Sequence, residues 1–359
     1  MRGYRLRDRA AVPDLSAVPL SPPPSHVPLA VATRGGVVES VHTGSVAVVD
    51  RHGRLLFGAG DPSSLTFTRS ALKPLQALPF VAGGGVERFG YSVPQVALLC
   101  ASHSGEPRHV DAVADMLVRA GNSADELQCG THAPGYFELA GERAPPPPWS
   151  PLAHNCSGKH SGMLAYCTQC GLPKQDYLAP DHPLQQAIRQ AVARFAQVPE
   201  EQLAMGIDGC SAPNYAMPLA NLALAFAKLA TGEMDADYGA APRTLARAMV
   251  AHPEMVSGEH RNDLALMRAG RGDWVTKVGA EGVQTIGIAS RGWGIAIKVA
   301  DGAARGLHPA SVAVLEQLEL LDDAARLELA AWGRPDIRNY RGTVTGDVHG
   351  VVVLDKLDA

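Results

Sequence analysis

The stretch LAVATRGGVVESVHTGSVAVVDRHGRLLFGAG, residues 29–60, decides the fold class. Its runs of Val, Ala and Leu are separated by the turn signals Gly35–Gly36, Thr43–Gly44 and His52–Gly53. Apolar runs between such signals are typical of consecutive antiparallel strands. The stretch therefore predicts a meander of strands with the sequences LAVATR, GVVESVH, SVAVVD and RLLFGAG.

Outward from this meander, the middle of the chain is helical and the end returns to strands. Helical periodicity predicts helices over 70–82, 93–101, 108–120, 160–170, 182–196, 215–230 and 240–251. Strand-like runs lie at 274–279, 283–290, 293–300 and 351–356. This order predicts an α+β fold, in which the N- and C-terminal strands pair in one antiparallel sheet with flanking helices.

The domain prediction is a single catalytic unit over residues 26–359, with its helical part at roughly 60–270. Residues 1–25 are rich in proline and are expected to form a flexible N-terminal arm. The segment Pro145–Pro148 is expected to connect two helical groups.

Composition narrows the classes of function. The 359 residues carry a formal net charge of −4 without a long run of like charge, which argues against nucleic-acid partners. No segment approaches the ~18 consecutive apolar residues of a membrane span. The N-terminal residues make a poor signal peptide because Asp14 and several prolines interrupt them. We expect a cytoplasmic protein whose six cysteines are reduced.

The first motif with chemistry is TRSALKP, residues 68–74. Ser70 and Lys73 are three apart, so on a helix they share a face, and a buried lysine can take the proton of a nucleophilic serine. The alternative is an N-cap serine beside a solvated lysine. The apolar neighbours Leu72, Leu75 and Leu78 argue against solvation.

The second motif is LLCASHSGEPRHV, residues 98–110, in which an apolar run ends in Ser102, His103 and Ser104. Such an ending can present hydroxyl groups to a cleft. The alternative is a capped helix end, with Ser104 or Glu106 as the cap.

Two further motifs carry cysteines. HNCSGKHSGM, residues 154–163, places Cys156 and His160 at the spacing of two metal ligands on a helix. In GIDGCSAPN, residues 206–214, Cys210 can complete a metal site with Cys156, and Asp208 can orient a ligand or bind a substrate ammonium. The alternative for the second is a tight turn with a buried thiol.

Two remaining features have simpler alternatives. The pair Cys167 and Cys170 has redox or zinc spacing, but no second pair follows, so we interpret both as incidental thiols at a helix end. Lys277 lies in a predicted strand, where a solvent-facing lysine is the alternative to a functional one.

A Ser-x-x-Lys at a helix start, a later serine and a Lys-x-Gly on a late strand together resemble the penicillin-recognising serine hydrolases and the related glutaminases. With the two cysteine motifs added, the chain resembles the L-asparaginase family typified by the rhizobial thermolabile enzyme, sometimes called class 3. The resemblance runs from about Leu29 to the C-terminal strand. It implies the serine β-lactamase/glutaminase-like fold.

The resemblance also implies a function: hydrolysis of the side-chain amide of L-asparagine to L-aspartate and ammonia. Ser70 would be the nucleophile and Lys73 its base, while Ser102 and Lys277 would form a second Ser–Lys pair. The other implied site residues are three zinc ligands and four substrate-binding residues: Cys156, Lys159 and Cys210 for zinc, and Arg69, His103, His160 and Asp208 for substrate. Reasoning from the residues alone favours His160 over Lys159 as ligand.

The family also implies a homodimer. Two kinds of alternative function stay open. One is a glutaminase or another serine amidohydrolase of this fold, since pockets discriminate one methylene by only ~1–3 kcal/mol. The other is a non-catalytic relative that binds zinc or an amino acid.

Overall fold

The computed structural model describes residues 24–357. Most of the predicted N-terminal arm therefore lies outside the described residues. The strands are β1 Val27–Arg34, β2 Val37–Asp50, β3 Leu55–Ala59, β4 Leu65–Phe67, β5 Ala204–Ile207, β6 Pro213–Pro218, β7 Trp274–Gly279, β8 Val283–Ile288, β9 Trp293–Val299, β10 Asp336–Arg338, β11 Val344–Gly350 and β12 Asp355–Lys356.

The helices follow in the same chain order. They are α1 Lys73–Ala82, α2 Gly85–Phe89, α3 Val93–Leu99, α4 Pro107–Arg119, α5 Gly135–Leu139, α6 Ser157–Cys170, α7 Pro183–Ala196, α8 Leu219–Thr231, α9 Ala241–Ala251, α10 Pro253–Val256, α11 Asn262–Ala269, α12 Ala304–Gln317 and α13 Asp323–Gly333.

The main sheet joins the two ends of the chain. Its strand order is β10-β11-β1-β2-β9-β8-β7, with β3 beside the second half of β2 and β12 beside β3. Every pairing in it is antiparallel. The predicted α+β fold, with an antiparallel sheet from N- and C-terminal strands, is confirmed.

Strand β2 corrects one detail of the predicted meander. GVVESVH and SVAVVD form one strand, because Gly44 continues the strand instead of turning it. Gly44 faces Val27 of β1 and Val299 of β9. A Cβ atom on Gly44 would lie 2.0 Å from the carbonyl oxygen of Lys298. The glycine is thus needed for close strand contact.

The second half of β2 is buried on both faces, which explains its unbroken apolar sequence. Val46 and Val48 pack in one core cluster with α12 residues such as Leu307. Ala47 and Val49 face the other cluster, to which α8 contributes. Helices therefore cover both sides of the sheet.

Several helix and strand predictions need correction near the second half of the chain. The helix predicted over 215–230 begins only at Leu219, because Pro213–Pro218 forms β6. Of the predicted strand 351–356 only Asp355–Lys356 is paired, and the preceding β11 was not predicted. Helices α11, α12 and α13 were also not predicted, and Pro309 inside α12 interrupts the local pattern there.

A small sheet of order β4-β6-β5 lies beside the main one and leads directly into the helical region. Over residues 24–357, the helices are all too short or too polar to span a lipid bilayer.

Candidate active site

Ser70 lies in a 3₁₀ turn, Arg69–Leu72, between β4 and α1. The predicted helix thus starts three residues later than expected, with Lys73 as its first residue. The backbone N–H of Lys73 donates to the carbonyl oxygen of Ser70. Residues three apart in a 3₁₀ turn point the same way. The turn therefore keeps Ser70 and Lys73 on one side, and Ser70 is half-buried.

Lys73 is buried, with 1% of its surface exposed, which rules out the solvated-lysine alternative. Its Nζ atom lies 2.6 Å from Ala101 O, 2.9 Å from Ser102 Oγ and 3.4 Å from Asn155 O. The hydroxyl paired with Lys73 is therefore that of Ser102. This serine follows α3 and sits in the loop that the second motif predicted to face a cleft.

Lys277 is fully buried on β7, so the solvent-facing alternative is also wrong. Its Nζ atom donates to Val278 O at 2.8 Å and lies 3.4 Å from the carboxylate of Asp263. Lys277 is thus paired with Asp263, whereas the resemblance implied a pair with Ser102. A buried ammonium needs a counter-charge, and Asp263 supplies it.

Asp263 is the site residue that the sequence did not reveal. It is fully buried on α11 and accepts hydrogen bonds from Thr276 Oγ1 at 3.0 Å, Val278 N at 2.9 Å and Gln284 Nε2 at 3.2 Å. Burial raises its pKa, but Lys277 and these donors outweigh burial, and the net pKa is lowered. A single aspartate outside every predicted motif gives no sequence signal.

The pKa of Lys277 is lowered to about 8. Burial is the largest cause, and the charges of Lys73 and Arg261 add to it, while Asp263 acts in the opposite direction. A lysine with this pKa can exchange a proton near neutral pH. The two lysines therefore lie in one electrostatic environment.

His103, predicted to bind substrate, uses both ring nitrogens within the protein. Nδ1 accepts from the Gly105 N–H at 3.2 Å, so Nε2 carries the proton and faces Ser157 Oγ at 2.9 Å. The ring is 1% exposed, and burial, followed by its cationic neighbours, holds its pKa well below the usual value. Its geometry suits support of the Ser102 loop.

The two cysteine motifs meet in one buried cluster beside Lys73. Lys159 Nζ lies 2.9 Å from Cys210 Sγ. The neighbouring Cys210 thiol and the charges of Lys73 and Lys159 hold the pKa of Cys156 well below its usual value, against the effect of burial. Burial lowers the pKa of Lys159, but Cys210 and Cys156 outweigh burial and raise it.

This cluster fits a zinc ion in its donor chemistry, which is two thiols with a nitrogen ligand. The Nε2 atom of His160 is buried without a hydrogen-bond partner among the described residues. His160 Nδ1 contacts the hydroxyl of Tyr177 at 2.7 Å. Nowhere in residues 24–357 do three or more His, Cys, Asp or Glu side chains form a metal-binding group. A zinc site here would therefore depend on Lys159.

Arg69 and Asp208 form an ion pair near the cysteine cluster, with 2.9 Å between Nε and Oδ1. The pKa of Asp208 is lowered: burial acts against this, and the Gly209 N–H, Lys159 and Arg69 outweigh burial. The pair borders a cavity of about 450 Å³. Its lining also includes the amide of Asn214 and three apolar side chains: Leu65, Phe67 and Ile207.

The structure thus brings together four catalytic candidates, the cysteine cluster and the Arg69–Asp208 pair. Cys167 and Cys170 lie on α6, where Cys170 is exposed and Cys167 is buried, both as free thiols. Asn214, which belongs to the motif GIDGCSAPN but had no predicted role, contacts Arg69 in the 3₁₀ turn before α1. The sequence gives no local signal for this contact between a strand and a distant turn.

Comparison with known proteins gives a family match. The sequence profile of the L-asparaginase II family matches residues 30–350, which is most of the chain. No curated protein matches the chain.

Three solved structures are among those similar to this chain. Mglu in its native form is 14% identical with a TM-score of 0.42; the match covers 78% of this chain and 65% of Mglu, less than two thirds of that protein. A β-lactamase from Mycobacterium bovis is 15% identical with a TM-score of 0.41, covering 76% of this chain and 94% of that one. EstCE1, a hydrolase with promiscuous acyltransferase activity, is 11% identical with a TM-score of 0.36, covering 86% and 93%.

Proposed function

The chain belongs to the L-asparaginase II family, and on that basis we propose that this amidohydrolase cleaves the side-chain amide of L-asparagine to L-aspartate and ammonia. The observation that carries the mechanism is the buried Lys73, which contacts Ser102 Oγ at 2.9 Å and lies one turn from Ser70. We propose Ser70 as nucleophile.

In the first step, Ser70 Oγ forms a bond to the carboxamide carbon, and the carbonyl electron pair moves to oxygen. The Ser70 proton passes to Lys73 Nζ, directly or through the Ser102 hydroxyl. Backbone N–H groups near Ser70 would stabilise the oxyanion. The same proton then protonates the leaving nitrogen, the carbon–nitrogen bond breaks, and ammonia departs from an aspartyl ester.

In the second step, water attacks this ester and gives up a proton to the lysine. The oxyanion collapses, the Ser70 oxygen leaves and is reprotonated, and L-aspartate is released. Lys277, whose pKa of about 8 allows it to exchange a proton near neutral pH, would relay protons within the site between the two steps.

L-Asparagine is a zwitterion, so its α-carboxylate needs a cationic partner and its α-ammonium needs an anionic one. We propose that Arg69 binds the α-carboxylate and Asp208 the α-ammonium, because the two lie together beside Ser70. Cys156, Lys159 and Cys210 would hold a zinc ion, whose open fourth coordination position would anchor the substrate. His160 would support this cluster. A homodimer remains part of the proposal, testable by mass measurement in solution.

The test is ammonia release from L-asparagine and L-glutamine, side by side, for the wild type and Ser70→Ala. We expect turnover of asparagine that the variant loses by at least ~10⁴-fold, as for other nucleophile deletions. Ser63→Ala is the matched control, since Ser63 is an exposed serine just before β4 and its hydroxyl donates to Asp61. Faster release of ammonia from L-glutamine than from L-asparagine would make L-glutamine the substrate. Silence on both amides from folded protein would overturn the activity.

A further inference from the structure

The backbone immediately before the proposed nucleophile adopts an unusual conformation. Arg69 has φ 48°, in the left-handed region that side chains other than glycine rarely adopt. Such a conformation persists only where surrounding contacts impose it, and it is enriched at functional sites. Because Ser70 follows directly, the conformation of Arg69 sets the direction in which Ser70 enters the site.

The side-chain amide of Asn214 makes two hydrogen bonds to the backbone of Arg69. Asn214 Oδ1 accepts a hydrogen bond from the Arg69 N–H at 3.0 Å. Asn214 Nδ2 donates to the Arg69 carbonyl oxygen, also at 3.0 Å. Asn214 is 3% exposed and lies on β6, where Gly206 of β5 is its register partner. Its amide is therefore held by a strand and not by a mobile loop.

Further contacts position Thr68, the residue before Arg69. The N–H and the hydroxyl of Thr68 both donate to Tyr215 O, at 3.1 and 2.9 Å. The backbone of β7 approaches so closely that a Cβ on Gly279 would lie 2.7 Å from Thr68 O. These contacts position Thr68, whereas Asn214 makes hydrogen bonds to the backbone N–H and the carbonyl oxygen of Arg69 itself.

We infer that Asn214 is a positioning residue for Ser70: its amide holds Arg69 in the left-handed conformation and so aims the nucleophile. This inference rests on the proposed function, because it takes Ser70 as the reacting group. It also explains the residue type. One amide supplies an acceptor and a donor together, whereas a carboxylate of the same shape would place an acceptor against the Arg69 carbonyl.

The test is the conservative variant Asn214→Asp, with two readouts. The first is kcat and KM for L-asparagine. The second is the rate at which a small fluorophosphonate labels Ser70, read by mass spectrometry of the labelled peptide. In that reaction Ser70 Oγ bonds to phosphorus, fluoride leaves, and the serine proton goes to the base. We expect kcat and the labelling rate to fall together by at least ~30-fold. KM should rise as well, because Arg69 is the proposed ligand of the α-carboxylate.

The matched control is Asn221→Asp on α8. Asn221 also donates a side-chain hydrogen bond to a backbone carbonyl at 2.8 Å, but its partner is Ala196 at the end of α7. Circular dichroism and thermal unfolding establish that each variant is folded. A rescue adds a readout that a merely structural role would not move: Asn214→Asp with Arg69→Gly. Glycine adopts positive φ freely, so labelling of Ser70 should recover.

The outcomes separate the inference from the activity on which it rests. Labelling of Ser70 that depends on Asn214, without ammonia from asparagine, would uphold the inference and remove the substrate. Wild-type kcat and labelling in Asn214→Asp would overturn the inference and leave the activity intact. Failure of the wild type to label at Ser70 would overturn both.

Discussion

Lys73 Nζ lies 2.9 Å from Ser102 Oγ, and both groups are buried between the first two motifs of the site. The other acceptors of this lysine, Ala101 O and Asn155 O, are carbonyl oxygens, which cannot donate. A neutral amine can satisfy both carbonyls with its two hydrogens and accept the Ser102 proton with its lone pair. Ser102 is thus placed to pass protons to and from Lys73.

This relationship predicts that Ser102→Ala keeps the nucleophile but weakens proton transfer. We expect kcat for asparagine to fall ~10²-fold or more, within the range of general acid–base contributions. The aspartyl ester should still form in Ser102→Ala and be detectable by mass spectrometry after acid quench, whereas Ser70→Ala should form none.

The control for this loop is Ser104→Ala. Ser104 is also buried, but its hydroxyl donates to Glu106 at 2.7 Å, away from Lys73. Its kcat should stay within about threefold of wild type. An ester on Ser102 in the wild type would exchange the roles of the two serines.

The Lys277–Asp263 pair predicts a pH dependence. With a pKa of about 8 in the folded protein and 10.5 as the ordinary value, Lys277 is charged in both folded and unfolded states below pH 8. Between pH 8 and 10.5 the unfolded state binds more protons, so this residue's contribution to the free energy of unfolding rises with pH there. If Lys277 relays protons in its neutral form, kcat for asparagine also rises through pH 8.

Asp263→Asn should move that rise in kcat to lower pH, because Asp263 raises the pKa of Lys277. The variant should also lose more thermal stability at pH 7 than at pH 9.5, since an unpaired buried ammonium is the source of the loss. The control is Asp273→Asn near the start of β7, whose carboxylate bonds Ser290 instead. A kcat profile of Asp263→Asn identical to wild type would remove Lys277 from the proton path.

The sequence predicts the main sheet well where apolar runs end at clear turns. The run WVTKVG coincides with β7, and the ends of β1 and β9 lie within two residues of those predicted. These signals are local, so they survive without knowledge of tertiary contacts. The motifs likewise predict Lys73 and Ser102 as partners in one site, and the structure places Nζ and Oγ 2.9 Å apart.

The sequence does not predict which side chains of the site contact one another. Nothing local tells whether Lys73 will contact Ser70 or Ser102, since the choice depends on how α1 meets the loop after α3. Asp263 is separated from Lys277 by a helix end and a turn, and its role emerges only when both are buried together. The hydrogen bonds between Asn214 and Arg69 join β6 to a turn that lies 145 residues earlier in the chain.

The Lys-x-Gly of β7 gives a third prediction. A Cβ on Gly279 would lie 2.7 Å from Thr68 O and 3.4 Å from Arg69 Cβ. Gly279→Ala must therefore displace the nucleophile turn or β7. A shift of ~1 Å can cost ~10²-fold in rate, so we expect kcat to fall by about that factor. Gly135→Ala is the control, since its nearest neighbour, Ser104 O, would be 3.8 Å away. A crystal structure of Gly279→Ala with the turn unmoved and full activity would contradict this.

The cysteine cluster gives the last prediction, on metal content. If Cys156, Lys159 and Cys210 hold zinc, purified protein should contain near-stoichiometric zinc by elemental analysis. Cys156→Ser should lose most of it, because a hydroxyl is a far poorer zinc ligand than a thiolate. Cys170→Ser should keep it, since Cys170 is exposed at the end of α6 and separate from the cluster. Retention of zinc in Cys156→Ser with loss in Cys170→Ser would move the metal to the Cys167–Cys170 pair.

Kinetics then separate two uses of the metal. An anchor for substrate predicts that Cys156→Ser raises KM at least ~10-fold while the aspartyl ester on Ser70 still forms at saturating asparagine. An essential role in the chemistry predicts that ester formation stops even at saturation. The charge of Lys73 acts on Cys156, in addition to the direct contact of Lys73 with Ser102. Loss of the Cys156 thiol therefore also alters the charge around Lys73. Ester formation in Cys156→Ser, measured across pH, distinguishes that altered charge from a lost anchor, because only the former shifts the profile.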